Sequence, residues 1–112
     1  MERIVAEHLA AHGLEIVARN YASAGAEVDL VARASAVAGA PTYVFIEVRS
    51  RSSAEHGDPA ETVDRRKQRR IIRAATAWLV EHDLWERVEI RFDVVTVTGD
   101  EPPRWIPGAF EA

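Results

Sequence analysis

The chain has 112 residues, room for one hydrophobic core but not for two ordinary domains, so a single domain over residues 1–112 is expected. A composition of 47% hydrophobic and 29% charged residues is that of a soluble globular protein, and no apolar run approaches the ~20 residues of a membrane helix. The absence of cysteine excludes disulfides, thiolate zinc sites and a cysteine nucleophile, and a formal net charge of −4 argues against indiscriminate coating of nucleic acid.

Glu2, Arg3, Glu7, His8, His12 and Glu15 interrupt the first twenty residues, which therefore lack the apolar block of a secretory signal; a cytoplasmic protein without a membrane partner is expected. Over Glu2 to His12, Ile4, Val5 and Leu9 recur as one helical face that stops at Gly13. His8 and His12 share the i, i+4 spacing of zinc ligands, but no further ligands accompany them, and surface histidines are the better reading. Leu14 to Asn20 alternates Leu14, Ile16 and Ala18 against Glu15, Val17 and Arg19, as a strand does. Two more strands are expected at Ala26 to Arg33 and Thr42 to Arg49.

Side chains alternate along a strand, so Glu27, Asp29, Val31 and Arg33 should share one face, with Val28, Leu30 and Ala32 on the other. Tyr43, Phe45, Glu47 and Arg49 should likewise oppose Val44, Ile46 and Val48. A connection symmetric about Ala38 puts Arg33 opposite Tyr43 and Asp29 opposite Glu47. Carboxylates so paired repel and need a counter-charge, either a divalent cation or Arg49; an exposed acid paired to an arginine is the plainer alternative.

Ser50 to Pro59 reads as a loop, and Glu61 to His82 as a long helix. Ile71, Ala74, Ala75, Trp78 and Leu79 form its apolar side; Arg66, Arg69, Arg70 and Arg73 form a basic one. Six of the fourteen basic residues fall between Arg65 and Arg73, a face suited to phosphates or simply to solvent. Trp78 and Trp85 are expected to pack rather than stack on bases. Val88 to Val97 is a further strand, in which Asp93 serves either to orient a site or as a structural hydrogen-bond acceptor. The proline-containing tail is expected to be irregular apart from a short edge segment near Trp105. The order α-β-β-β-α-β predicts an α/β sandwich around a mixed sheet.

Three blocks carry a family resemblance: Gly25-Ala26-Glu27-Val28-Asp29-Leu30-Val31-Ala32, Val44-Phe45-Ile46-Glu47-Val48-Arg49-Ser50-Arg51 and Arg91-Phe92-Asp93-Val94-Val95. They resemble the YraN-like family of small uncharacterised bacterial proteins, itself similar to Holliday-junction resolvases of the PD-(D/E)xK nuclease superfamily. The resemblance implies a restriction-endonuclease-like three-layer fold and Mg²⁺- or Mn²⁺-dependent cleavage of phosphodiester bonds in DNA, branched or single-stranded. It casts Asp29 and Glu47 as metal ligands, Glu2 as an accessory catalytic carboxylate, and Arg49 at the position of the motif's lysine. Lys67, matching a family lysine, is cast as a phosphate contact; Arg66, Arg70 and Arg51 are further candidate contacts from their charge, and a homodimer is consistent with cutting two strands. Arginine stays protonated, so Arg49 can stabilise charge but cannot accept a proton from water. Ala22, Ala24 and Ala26 also depart from the family's basic or glycine positions, and His56 from its aromatic position before Gly57. The alternative function is a non-catalytic nucleic-acid-binding or protein-interaction module with a degenerate site.

Overall fold

Two short stretches of helix periodicity and five β-rich ones build the observed order: α1 (Glu2–Ala11), β1 (Leu14–Ser23), β2 (Ala26–Ala34), β3 (Thr42–Ser50), α2 (Arg65–Glu81), β4 (Glu89–Val97) and β5 (Arg104–Phe110). A computed structural model describes residues 2–23, 25–34, 41–51, 63–99 and 101–112. The expected positions Ala24, His56 and Gly57, and most of the Ser50 to Pro59 loop, lie outside the described residues.

The five strands form one mixed sheet in the order β1-β2-β3-β4-β5, antiparallel except for the parallel β3–β4 pair. The helices cover opposite faces, which makes three layers. On one face Val5, Ala6 and Leu9 of α1 pack against Leu14, Leu30, Ile46 and Val95. On the other, Ile71, Ala74, Ala75, Trp78 and Leu79 of α2 pack against Val31, Tyr43, Phe45 and Phe92. Burying each of the large apolar side chains contributes about 1.5–3 kcal/mol. Trp78 lies in a cluster with Tyr43 and Phe45, at centroid distances of 5.5 and 5.9 Å. No helix among the described residues is long and apolar enough to cross a membrane.

Several expectations need correction. Ile4 is 56% exposed, because the buried stripe of α1 runs through Val5, Ala6 and Leu9, a helical turn that leaves Ile4 to one side. Strand β1 does not keep one face. A bulge between Ile16 and Ala18 puts Ile16 against the α1 cluster and Ala18 against the α2 cluster. Trp85 is 46% exposed: it lies in the turns after α2, where Leu84 packs inward instead. The long helix starts at Arg65, with Asp64 as its N-cap, and Glu61 lies outside the described residues.

The largest addition is β5. Two prolines in the tail, Pro102 and Pro103, precede the strand, and Pro107 is tolerated on an edge where its missing N–H faces no partner strand. Asp93 holds this strand down. It is completely buried and accepts four hydrogen bonds: from Arg91 Nε and Nη2 at 2.9 Å each, from Trp105 Nε1 at 2.8 Å, and from the Gly108 N–H at 2.9 Å. It sits at the register shift between Phe92 and Val94, where the β4–β5 ladder is interrupted. Of its two expected roles, the structural one holds.

Candidate metal and nucleic-acid site

The β2–β3 ladder runs Ala34↔Thr42, Arg33↔Tyr43, Ala32↔Val44, Val31↔Phe45 and Leu30↔Ile46, the register that symmetry about Ala38 requires. Its continuation would bring Asp29 and Glu47 opposite one another. There the ladder stops, and the Val48 N–H donates instead to Asp29 Oδ2 at 2.8 Å. The Asp29 side chain thus occupies the fork between the strands and takes up a donor that the sheet leaves unpaired.

A backbone irregularity on the neighbouring strand accompanies this fork. Asn20, across from Asp29 in the β1–β2 pairing, has φ 50, a left-handed conformation that asparagine tolerates better than most residues. Val28 and Val31 pack in the same cluster, although strict alternation would put them on opposite faces. The expected grouping of Val28 with Leu30 and Ala32 is therefore wrong; β2 changes face at Asp29. On β3 the alternation persists: Tyr43 and Phe45 face α2 and Val44, Ile46 and Val48 face α1. Glu47 continues the α2-facing series.

Glu47 is 5% exposed, and its partner comes from the helix: Lys67 Nζ lies 3.2 Å from Glu47 Oε1. Burial, and next the Asp29 charge, push the Glu47 carboxyl up to about 7, against the opposing pull of Lys67 and Arg49. Asp29 is raised too, first by burial and then by Glu2 and Glu27, with the Val48 N–H and Lys67 acting the other way. Two carboxylates therefore share a partly dry site with less positive charge than they need. Asp29, Glu47, Lys67, Arg49 and Glu2 all belong to this electrostatic neighbourhood. Arg51 is half-buried just beyond β3, where its N–H donates to the Val97 carbonyl.

The sequence marks Lys67 as a phosphate contact through the family resemblance but does not pair it with Glu47. The available signal was Asp64, whose Oδ1 accepts from Lys67 N at 2.9 Å and fixes Lys67 in the first turn of α2. The other cations, Arg65, Arg66, Arg69, Arg70 and Arg73, are exposed. Arg66, Arg69, Arg70 and Arg73 follow i, i+3, i+4, i+7 spacing and make no ion pair among the described residues. The first turn of α2 holds no acidic residue of its own, and its N-cap is the carboxylate of Asp64.

The donor set fits Mg²⁺ or Mn²⁺. Both candidate ligands are hard carboxylates, and the second oxygen of Asp29 makes no hydrogen bond among the described residues. Among the described residues no three histidine or acidic side chains gather as a metal cage, so a cation here would rely on two carboxylates plus water or phosphate. His8 and His12 do not extend the set; their rings lie 4.6 Å apart, and His12 Nδ1 is 2.8 Å from the His8 carbonyl. Two clefts of about 270 and 320 Å³ are lined around Glu111 and Ala112 by other residues and do not include the carboxylate pair.

Comparison with known proteins gives the same lineage for nearly the whole chain. The uncharacterised protein family UPF0102 matches residues 1–97. The chain is 46% identical to a UPF0102 protein of Chromohalobacter salexigens, over 100% of this chain and 88% of that protein. Identity is 47% to a UPF0102 protein of Anaeromyxobacter sp. strain Fw109-5, over 89% of this chain and 71% of the relative. It is 39% to one of Pseudomonas putida, over 94% and 84% respectively.

Proposed function

The chain belongs to the uncharacterised UPF0102 family, and from that premise we propose that it is an Mg²⁺- or Mn²⁺-dependent endonuclease acting on DNA, with branched or single-stranded substrates as the first candidates. The observation that carries this reading is the under-neutralised pair Asp29 and Glu47, set in the fork between β2 and β3 beside a basic helix. Asp29 and Glu47 would hold the cation, and Glu2 would support them through its charge. When bound, such a cation polarises a phosphoryl oxygen and favours attack by water. The chain's own groups do the rest. Arg49 places a permanent positive charge beside the pair, where negative charge builds on the phosphoryl group. Glu47 is almost wholly buried, and the low polarity around it strengthens these interactions.

Incubation with branched, duplex and single-stranded DNA in Mg²⁺ or Mn²⁺ tests the proposal. Cleavage is expected in the wild type, absent in Asp29→Ala, and equal or faster in Arg49→Lys. Binding without cleavage by all three proteins supports the second reading, a binding module, which Arg49 specifically favours because arginine cannot take the water's proton.

The exposed stripe on α2 gives a separate expectation. Arg66→Gln and Arg70→Gln should weaken DNA binding in Ca²⁺ without altering sequence preference. Each lost phosphate contact should flatten the plot of log affinity against log salt by about 0.9. Unchanged slopes would remove this helix face from the interface.

A further inference from the structure

We propose that Lys67, reaching in from α2, orients the attacking water in place of the lysine that strand position 49 lacks. This rests on the nuclease reading above. Lys67 Nζ lies 3.2 Å from Glu47 Oε1, whereas its neighbouring cations on α2 project to solvent and make no ion pair among the described residues. The Lys67 side chain is 33% exposed while its partner Glu47 is buried, so Lys67 spans from solvent to the carboxylate pair. Its backbone is fixed by Asp64, whose carboxylate accepts from Lys67 N at 2.9 Å at the start of the helix. Helical side chains tilt towards the N-terminus, which directs a residue in the first turn past the helix end.

An ammonium carries three donors and no acceptor, so Lys67 can hold Glu47, a water and a phosphoryl oxygen together while keeping all its protons. The hydrolysis then balances simply. The water oxygen bonds to phosphorus as the bond from phosphorus to the leaving oxygen breaks; a phosphate oxygen takes the water's proton, and the leaving oxygen takes one from solvent. Arg49 contributes charge from the strand. Lys67 contributes position.

Single-turnover cleavage at saturating DNA and Mn²⁺ separates these tasks in the wild type and in Lys67→Met, Lys67→Arg and Arg49→Met. Lys67→Met is expected to slow cleavage about 100-fold, and Arg49→Met by less than about tenfold. Lys67→Arg should recover part of the rate. DNA affinity in Ca²⁺ should change less than about threefold in Lys67→Met, and Mn²⁺ binding followed by electron paramagnetic resonance should persist. Cleavage by Lys67→Met at near the wild-type rate overturns the proposal, as does a loss that lies wholly in DNA affinity or a greater loss in Arg49→Met. Wild-type protein that binds DNA and never cuts it overturns the nuclease reading and this inference with it, an outcome distinct from an active Lys67→Met.

Discussion

Replacing Asp93 with alanine is expected to destabilise the protein by about 3–5 kcal/mol, the range for removing one partner of a buried ion pair. The Asp93 carboxylate is inaccessible to solvent, and its oxygens take all four of its donors, from Arg91, Trp105 and Gly108. Alanine would leave the Arg91 guanidinium, 34% exposed at its side chain, without its carboxylate and would strand the Trp105 and Gly108 N–H groups. Asp93→Asn should recover only part of the loss, because its amide presents one acceptor oxygen and turns donors of its own towards donors. A domain of this size is stable by about 5–15 kcal/mol, so the alanine variant sits near the edge of folding. Urea denaturation measures the loss. Hydrogen exchange locates it, with faster exchange in Arg104–Phe110 than in β2 or β3; equal stability of Asp93→Ala and wild type would contradict the pinning role.

The second large effect runs the other way. Glu47→Gln should stabilise the metal-free protein at pH 8, since it removes a charge from a site that holds it poorly. Glu47 is raised from 4.5 to about 7, chiefly by burial and then by Asp29. Below about pH 4.5 the group is protonated in both folded and unfolded chains and favours neither. As pH rises, the unfolded chain releases its proton first, so folding stability falls until the folded group has also ionised, above about 7. The shift corresponds to about 3 kcal/mol, of which Glu47→Gln recovers somewhat less because the ion pair to Lys67 is lost as well. The raised Asp29 adds a loss of the same sign. Denaturation midpoints at pH 5 and pH 8 should therefore diverge in the wild type and draw together in Glu47→Gln. A wild-type protein that gains stability between those values would show that the pair is not under-neutralised.

Both effects explain what could be read from the residues and what could not. The β2–β3 register was legible because a short connection centred on Ala38 leaves little choice once hydrophobic parity is imposed, and Arg33 does face Tyr43. Alternation fails at Asp29, level with the left-handed Asn20 on the neighbouring strand, where β2 changes face. Nothing in the β2 segment itself carries that signal. The α2 core stripe was legible from period alone, since Ile71, Ala74, Ala75, Trp78 and Leu79 all lie buried. The resemblance sets Lys67 apart as a phosphate contact, but its pairing with Glu47 arises only when α2 packs on the sheet and brings one cation to that carboxylate. Strand β5 was underrated for a related reason. Pro107 and Gly108 weaken its local strand propensity, and the side chain that compensates, Asp93, is fifteen residues before Gly108. Local pattern registers the weakness but not the remedy.

Calorimetric titration of the protein with Mn²⁺ or Mg²⁺ at pH 8 tests the proposed role of Asp29 and Glu47 as ligands of a divalent cation. One binding event per chain is expected in the wild type, lost in Asp29→Ala and in Glu47→Gln, together with a rise in denaturation midpoint on metal addition that only the wild type shows. Absence of any binding in the wild type, or equal binding in Asp29→Ala, would contradict it.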